Sequence, residues 1–232
     1  KLTRIQEGPY GGLEVEGPEY ETIYACGGLC EIRSLDEIIR LNDLCDRLGM
    51  DTISTGNLVG LLMAASEQGR SPEPITFGDA AAAARLVEDI GYRRGLGRVL
   101  AEGIATAARE LGLEDLAVHV KGLEPAGYDP RVLKGMGLGY ATSPRGACHL
   151  RATFYKPELS GVVDRTAVEG KAALFVDYED RAALFDTLIL CRFYRDLYGW
   201  DELSTIVRLT TGLDYGRDGL ARLANRLVTA TR

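Results

Sequence analysis

The sequence predicts a mainly α, multihelical protein of two domains, and three observations carry that expectation. Apolar residues recur at helical spacing through most of the chain, whereas alternating strand patterns are few and short. Helix-start and helix-stop residues bracket those periodic runs. The chain has 232 residues, 46% of them hydrophobic, which is enough to fill a core and fits one or two domains of about 100 to 200 residues.

The first long helix is the clearest. Ser34 with Glu37 three residues on reads as a capping box. Leu35, Ile38, Ile39, Leu44, Cys45 and Leu48 form an apolar stripe, and Gly49 stands where the helix should stop. Further helices are expected at about 54 to 68, at 80 to 94 behind the Asp79 cap, and at 97 to 111, ending at Gly112. The last two are rich in alanine and can pack closely. From Gly122 to Arg145 the texture changes, because Pro125, Pro130 and Pro144 with Gly122, Gly127, Gly135, Gly137 and Gly139 argue against long regular elements. The apolar and aromatic content of this stretch predicts an ordered loop laid against a partner or ligand. Helices resume near Glu179 to Tyr194, Glu202 to Leu209 and Arg217 to Thr231. One domain is expected at 1–117 and a second at 118–232.

Composition narrows the function classes. A net charge of -7 with no basic block argues against nucleic acid or an anionic membrane as partner, since both need clustered Lys and Arg. The longest apolar run, Leu58 to Ala65, is far short of the roughly 20 residues that span a bilayer. No basic region precedes an apolar segment as in an export signal. Five cysteines without a framework spacing fit a reducing cytoplasm better than a disulfide scaffold. The chain opens on Lys1 and closes on Arg232 inside a helical run, which suggests a piece of a larger protein.

Two hexapeptides read like one motif written twice: Asp46-Arg-Leu-Gly-Met-Asp51 and Asp186-Thr-Leu-Ile-Leu-Cys191. Asp46 sits in the last turn of its helix, where the macrodipole disfavours an anion by roughly 0.3 to 1 kcal/mol, so something should offset that cost. Read alone, Asp46 is most simply an exposed carboxylate near Arg47 or another base, Asp51 the cap of the next helix, and Cys191 a buried apolar thiol.

Longer segments add a resemblance. Glu16-Gly-Pro-Glu-Tyr-Glu21, Leu48-Gly-Met-Asp-Thr-Ile-Ser-Thr-Gly56, Tyr128-Asp-Pro-Arg131, Gly137-Leu-Gly-Tyr-Ala-Thr142 and Arg145-Gly-Ala-Cys-His149 resemble the tungsten-dependent aldehyde ferredoxin oxidoreductases, in order and at similar spacing. The likeness runs from about Glu16 to the end and corresponds to the family's second and third, mainly helical, domains. It implies a tungsten or molybdenum bis-pterin cofactor, a [4Fe-4S] cluster, an aldehyde substrate and ferredoxin or another electron carrier. It also implies that an N-terminal, β-rich pterin-cradling domain and three cluster cysteines lie outside these residues.

Under that resemblance, Asp46 and Asp51 match one pterin-facing segment. Asp186 and Cys191 match the other, with Cys191 as the fourth cluster ligand. Met50 replaces the family's Leu, and Ile189 replaces its Gly, which could crowd a close backbone approach. Cys191 alone cannot hold a cube that takes four thiolates. Cys26, Cys30, Cys45 and Cys148 are read as structural, as is His119. Glu21 and His149 match the family's catalytic Glu and His. A Glu21 with its pKa raised by burial is expected to act as base, and His149 to donate an N–H to the carbonyl oxygen. Without the family, both read equally well as a loop carboxylate and a structural histidine. Arg151 aligns with a pterin-approaching Lys. Where some members carry a metal-binding Glu and His at a subunit interface, this chain has Arg40 and Asp43, so that metal is not expected and oligomerisation stays open. An alternative is a cofactor-free paralogue or isolated helical interaction module, or a related tungstoenzyme with a different substrate.

Overall fold

The computed structural model describes residues 2–232, and the chain forms two compact units, Lys1–Gly127 and Tyr128–Arg232. The first opens with a small antiparallel hairpin, β1 (Leu2–Arg4) against β2 (Glu14–Glu16), with Thr3 opposite Val15. Next come α1 (Tyr20–Thr22), a π-helical turn at Ile23–Gly28, α2 (Leu35–Leu48), α3 (Thr52–Glu67), α4 (Ala80–Gly91), α5 (Gly97–Leu100) and α6 (Ile104–Leu111). The second unit holds α7 (Lys134–Thr142), α8 (Tyr155–Leu159), α9 (Lys171–Thr187), a 3-10 turn at Arg192–Tyr194, α10 (Trp200–Thr211) and α11 (Gly216–Thr231). The protein is mainly α-helical. Among the described residues, no helix is long and apolar enough to cross a membrane.

Helix α3 is apolar on all sides and sits in the core. Its Leu58, Val59, Leu62 and Met63 pack with Ile38, Leu41 and Leu44 of α2 and with Val87 and Ile90 of α4. Each such side chain, fully buried, contributes about 1.5–3 kcal/mol. Where α3 passes the π-helical turn the contact is backbone to backbone: a Cβ on Gly56 would lie 2.5 Å from the Ala25 carbonyl. Only glycine allows that approach, and it fixes the segment that carries Glu21.

The caps set the helix starts. Asp51 Oδ2 accepts from Ser54 N–H at 2.7 Å, and Asp79 Oδ1 from Ala82 N–H at 2.8 Å. Ser34 accepts from Glu37 N–H at 3.5 Å, but the Glu37 carboxylate accepts instead from Tyr10 Oη at 3.0 Å, so only the Ser34 half of the expected capping box forms.

Three elements depart from the sequence reading. The helix expected at 97 to 111 breaks in two, because Gly103 takes φ +85°, ψ 162° and restarts the chain as α6. The expected loop of 122 to 145 contains α7. Its glycines serve packing rather than flexibility: a Cβ on Gly135 would lie 2.0 Å from Phe154, and one on Gly137 3.2 Å from Pro130. Helix α9 begins at Lys171 rather than near Glu179. There Lys171 Nζ pairs with Glu158 Oε1 at 2.7 Å, and the same oxygen accepts from Gly135 N–H at 2.8 Å. One buried carboxylate therefore ties α7, α8 and α9 together.

Candidate functional site

The two hexapeptides have the same backbone. At the end of α2, Gly49 N–H donates to Asp46 O at 3.3 Å and Met50 N–H to Cys45 O at 2.9 Å. At the end of α9, Ile189 N–H donates to Asp186 O at 3.1 Å and Leu190 N–H to Phe185 O at 2.8 Å. These bonds satisfy helix carbonyls that would otherwise lack donors. The fourth residue turns left-handed in both, with φ +67° at Gly49 and +56° at Ile189. The sixth then returns to extended backbone, φ −69° and ψ 128° at Asp51, φ −67° and ψ 127° at Cys191. The cost of the left-handed turn falls unequally. Gly49 adopts it freely, whereas for a side-chain-bearing residue it costs roughly 1–2 kcal/mol, and Ile189 is β-branched and 92% exposed.

Glu21, Asp46 and Asp51 belong to the first unit. Asp46 is exposed and accepts from Asn42 Nδ2 at 2.8 Å, a bond that offsets its place at the negative end of the helix. Arg47 does not pair with it, since its Nε donates to Asp43 Oδ1 at 2.8 Å, and Arg40 also pairs with Asp43. Asp51 caps α3 and, with Met50, Ser54 and Gly103, lines a cleft of about 320 Å³. Glu21 is half-buried in α1. Its neighbour Thr22 shares a hydroxyl hydrogen bond of 2.8 Å with Thr52, which holds the Glu21 segment beside the residue that follows Asp51.

His149, Arg151, Asp186 and Cys191 belong to the second unit. Arg151 Nη1 stands 3.6 Å from Asp186 Oδ2, and Arg192 clamps the same carboxylate through Nη2 at 2.7 Å and Nε at 3.1 Å. Arg151 and Asp186 line a cavity of about 150 Å³ together with Glu179, whose carboxyl is pushed up by burial despite its pairing with Arg232 at 2.7 Å. His149 is half-buried, its ring 5.8 Å from Tyr128, and Tyr128 stacks on Tyr155 at 4.0 Å with planes 10° apart.

Cysteine chemistry separates one thiol from the rest. Cys191 is exposed; it is not the buried thiol that its residue type alone suggested. Cys26, Cys30, Cys45 and Cys148 are buried and free. Burial raises the Cys26 thiol well above its usual range, Cys30 to about 12 and Cys45 to about 11, so these three stay protonated and fill core space. Among the described residues, no group of three or more His, Cys, Asp or Glu could hold a metal ion. Taken unit by unit, the exposed carboxylates at the end of α2 can accept N–H bonds, and at the end of α9 an exposed carboxylate stands five residues before an exposed thiol able to supply one ligand of four to a cluster.

Sequence reasoning missed Arg192 and Tyr155. Arg192 follows Cys191 directly, and adjacency was its only signal. Tyr155 meets Tyr128 through tertiary folding that no spacing reveals.

The fold defines a mainly helical, two-unit chain that encloses no metal site of its own among the described residues. The family model described as aldehyde ferredoxin oxidoreductase, domains 2 and 3, matches residues 1–232. The chain belongs to the aldehyde ferredoxin oxidoreductase family, whose name is that of an oxidoreductase. It is 34% identical over 230 residues to the tungsten-containing aldehyde ferredoxin oxidoreductase of Pyrococcus furiosus, covering 94% of this chain and 38% of that protein. The corresponding protein of Thermococcus kodakarensis is 33% identical, with 99% of this chain and 40% of the relative covered. A Pyrococcus furiosus aliphatic sulfonate oxidoreductase, WOR-like subunit, is 28% identical over 83% of this chain and 30% of its own length. The chain thus spans about two-fifths of the first two relatives.

Proposed function

We propose that this chain supplies one side of a tungstopterin, iron–sulfur oxidoreductase that oxidises aldehydes to carboxylic acids and passes the electrons to ferredoxin in the cytoplasm. The observation that carries the reading is the matched backbone of the two hexapeptides, which presents Asp46 and Asp51 on one turn and Asp186 and Cys191 on the other. Asp46 and Asp51 would hold one pterin, and Asp186 with Arg151 the second. Cys191 would give one thiolate to a [4Fe-4S] cluster whose other three cysteines lie outside these residues. A bound tungsten or molybdenum bis-pterin would supply the two-electron acceptor for the reaction.

This chain's residues manage the protons. Converting an aldehyde and water to a carboxylate releases three protons and two electrons. Glu21 takes a proton from the attacking water, and a His149 N–H binds the carbonyl oxygen as charge develops on it. The Tyr128 ring stands 5.8 Å from the imidazole and is itself stacked on Tyr155. In the full-length, metal-loaded enzyme, Glu21→Gln and His149→Ala are each expected to lower turnover by about 10²- to 10⁴-fold with metal content unchanged. Near-normal turnover would remove the residue from the mechanism.

A second reading is favoured by one residue. Ile189, left-handed and standing where the resembling family has Gly, suits a cofactor-free paralogue that keeps the fold as an interaction module. The sulfonate-oxidoreductase relative keeps a different substrate in view as well. Tungsten and iron in protein from metal-replete cells separate the enzyme from the module.

A further inference from the structure

A cavity of about 570 Å³ in the second unit carries an unbalanced charge. Lys156, Arg181, Arg192 and Arg195 line it against a single carboxylate, Asp196. Lys156 pairs with Asp196, and Arg192 is committed to Asp186. Arg181 lies over the Tyr178 ring, 4.9 Å from its centre. Arg195 donates to Arg192 O at 2.7 Å and to Tyr155 Oη at 3.2 Å. Among the described residues, no carboxylate pairs with either Arg181 or Arg195. Two guanidinium groups therefore line the cavity with no carboxylate partner among the described residues, and their remaining N–H donors suit the oxygens of an anionic ligand.

The rest of the wall is aromatic and aliphatic, with Tyr155, Tyr178 and Phe185 beside Pro157, Leu159 and Val162. A hydrated inorganic ion gains nothing from such a surface, whereas an organic acid uses both halves of it. A carboxylate matches the guanidinium fork, and an aryl or short hydrocarbon body covers the rings. The position bears on the reaction, because Tyr155 on this wall is the residue that stacks on Tyr128, which in turn faces His149.

We infer that the cavity binds the carboxylate end of an aldehyde substrate that also carries an acid group, with Arg181 and Arg195 determining that specificity. The substrate role rests on the proposed aldehyde oxidation; the anion site rests on the cavity alone. Two measurements on the full-length, metal-loaded enzyme keep them apart. By calorimetry, benzoate should bind at least about tenfold tighter than benzamide, and Arg181→Gln should lose about tenfold in benzoate affinity while benzamide binding is unchanged. In turnover, kcat/KM for 4-carboxybenzaldehyde should fall about tenfold in Arg181→Gln while that for benzaldehyde holds. Arg195→Lys, which keeps the charge but loses the fork, should weaken benzoate in the same direction and serves if Arg181→Gln does not fold. Equal binding of benzoate and benzamide, or benzoate affinity unchanged in the variants, overturns the inference. Selective benzoate binding without turnover of either aldehyde upholds the anion site and overturns the aldehyde reading.

Discussion

At the residue scale, Ile189 carries the sharpest conflict between sequence and structure. Its φ of +56° disfavours any Cβ-bearing residue and a β-branched one most, and with 92% of its surface exposed it buries almost nothing in return. Ile189→Gly should therefore raise stability by about 1 kcal/mol, read as a higher urea midpoint at unchanged slope; a lower midpoint would contradict the strain. The same residue explains why the second motif was harder to read than the first. Gly49 announces a helix stop, whereas Ile189 argues against one, and only the match of Asp186 and Cys191 to Asp46 and Asp51 exposed the pair. Asp180 offers a pH test. It is buried, its Oδ1 has no hydrogen-bond partner among the described residues, and desolvation raises its carboxyl above the usual value, reinforced by Asp177 and opposed by Asn225 and Arg232. A folded carboxyl that binds its proton more tightly than the unfolded one loses stability as pH rises through and above the ordinary carboxylate range. Asp180→Asn should accordingly melt higher than the parent at neutral pH, with the advantage vanishing in acid; an advantage that persists in acid would point to packing instead.

At the element scale, legibility followed local chemistry. Helices α2 and α4 were readable because Ser34 and Asp79 cap them and their apolar residues recur at helical spacing, and α3 because Asp51 caps a long, nearly all-apolar run. Helix α7 was not, because its three glycines signal flexibility in sequence yet allow close contact with Phe154, Pro130 and Phe175 in the fold. The start of α9 was hidden for a related reason. Lys171 at a helix N-terminus is electrostatically unfavourable until Glu158, distant in sequence, pairs with it in a buried position. Lys171→Met leaves the Glu158 carboxylate buried and unpaired, and should cost about 3–5 kcal/mol in chemical denaturation. A loss below about 1 kcal/mol, typical of a surface pair, would show that the carboxylate does not tie the three helices together.

At the scale of the whole molecule, composition and motif order indicated a helical member of an oxidoreductase family, and the family match covers residues 1–232. The candidate site is legible only as separate arms. Asp46 and Asp51 end one helix, Asp186 and Cys191 another, and the cationic cavity gathers Lys156, Arg181 and Arg195 from segments with no shared sequence pattern. Cys191 is exposed and the four other cysteines are buried, so the proposed cluster would draw its remaining ligands from outside these residues. The most direct measurement is the iron content of the full-length protein carrying this chain, compared with its Cys191→Ser variant. The parent is expected to hold about four iron atoms per polypeptide in a cluster, and the variant to lose that iron or its cubane spectrum while retaining tungsten. Unchanged iron and spectrum in Cys191→Ser, or a parent without iron from metal-replete cells, would contradict the assignment of these turns to a redox cofactor.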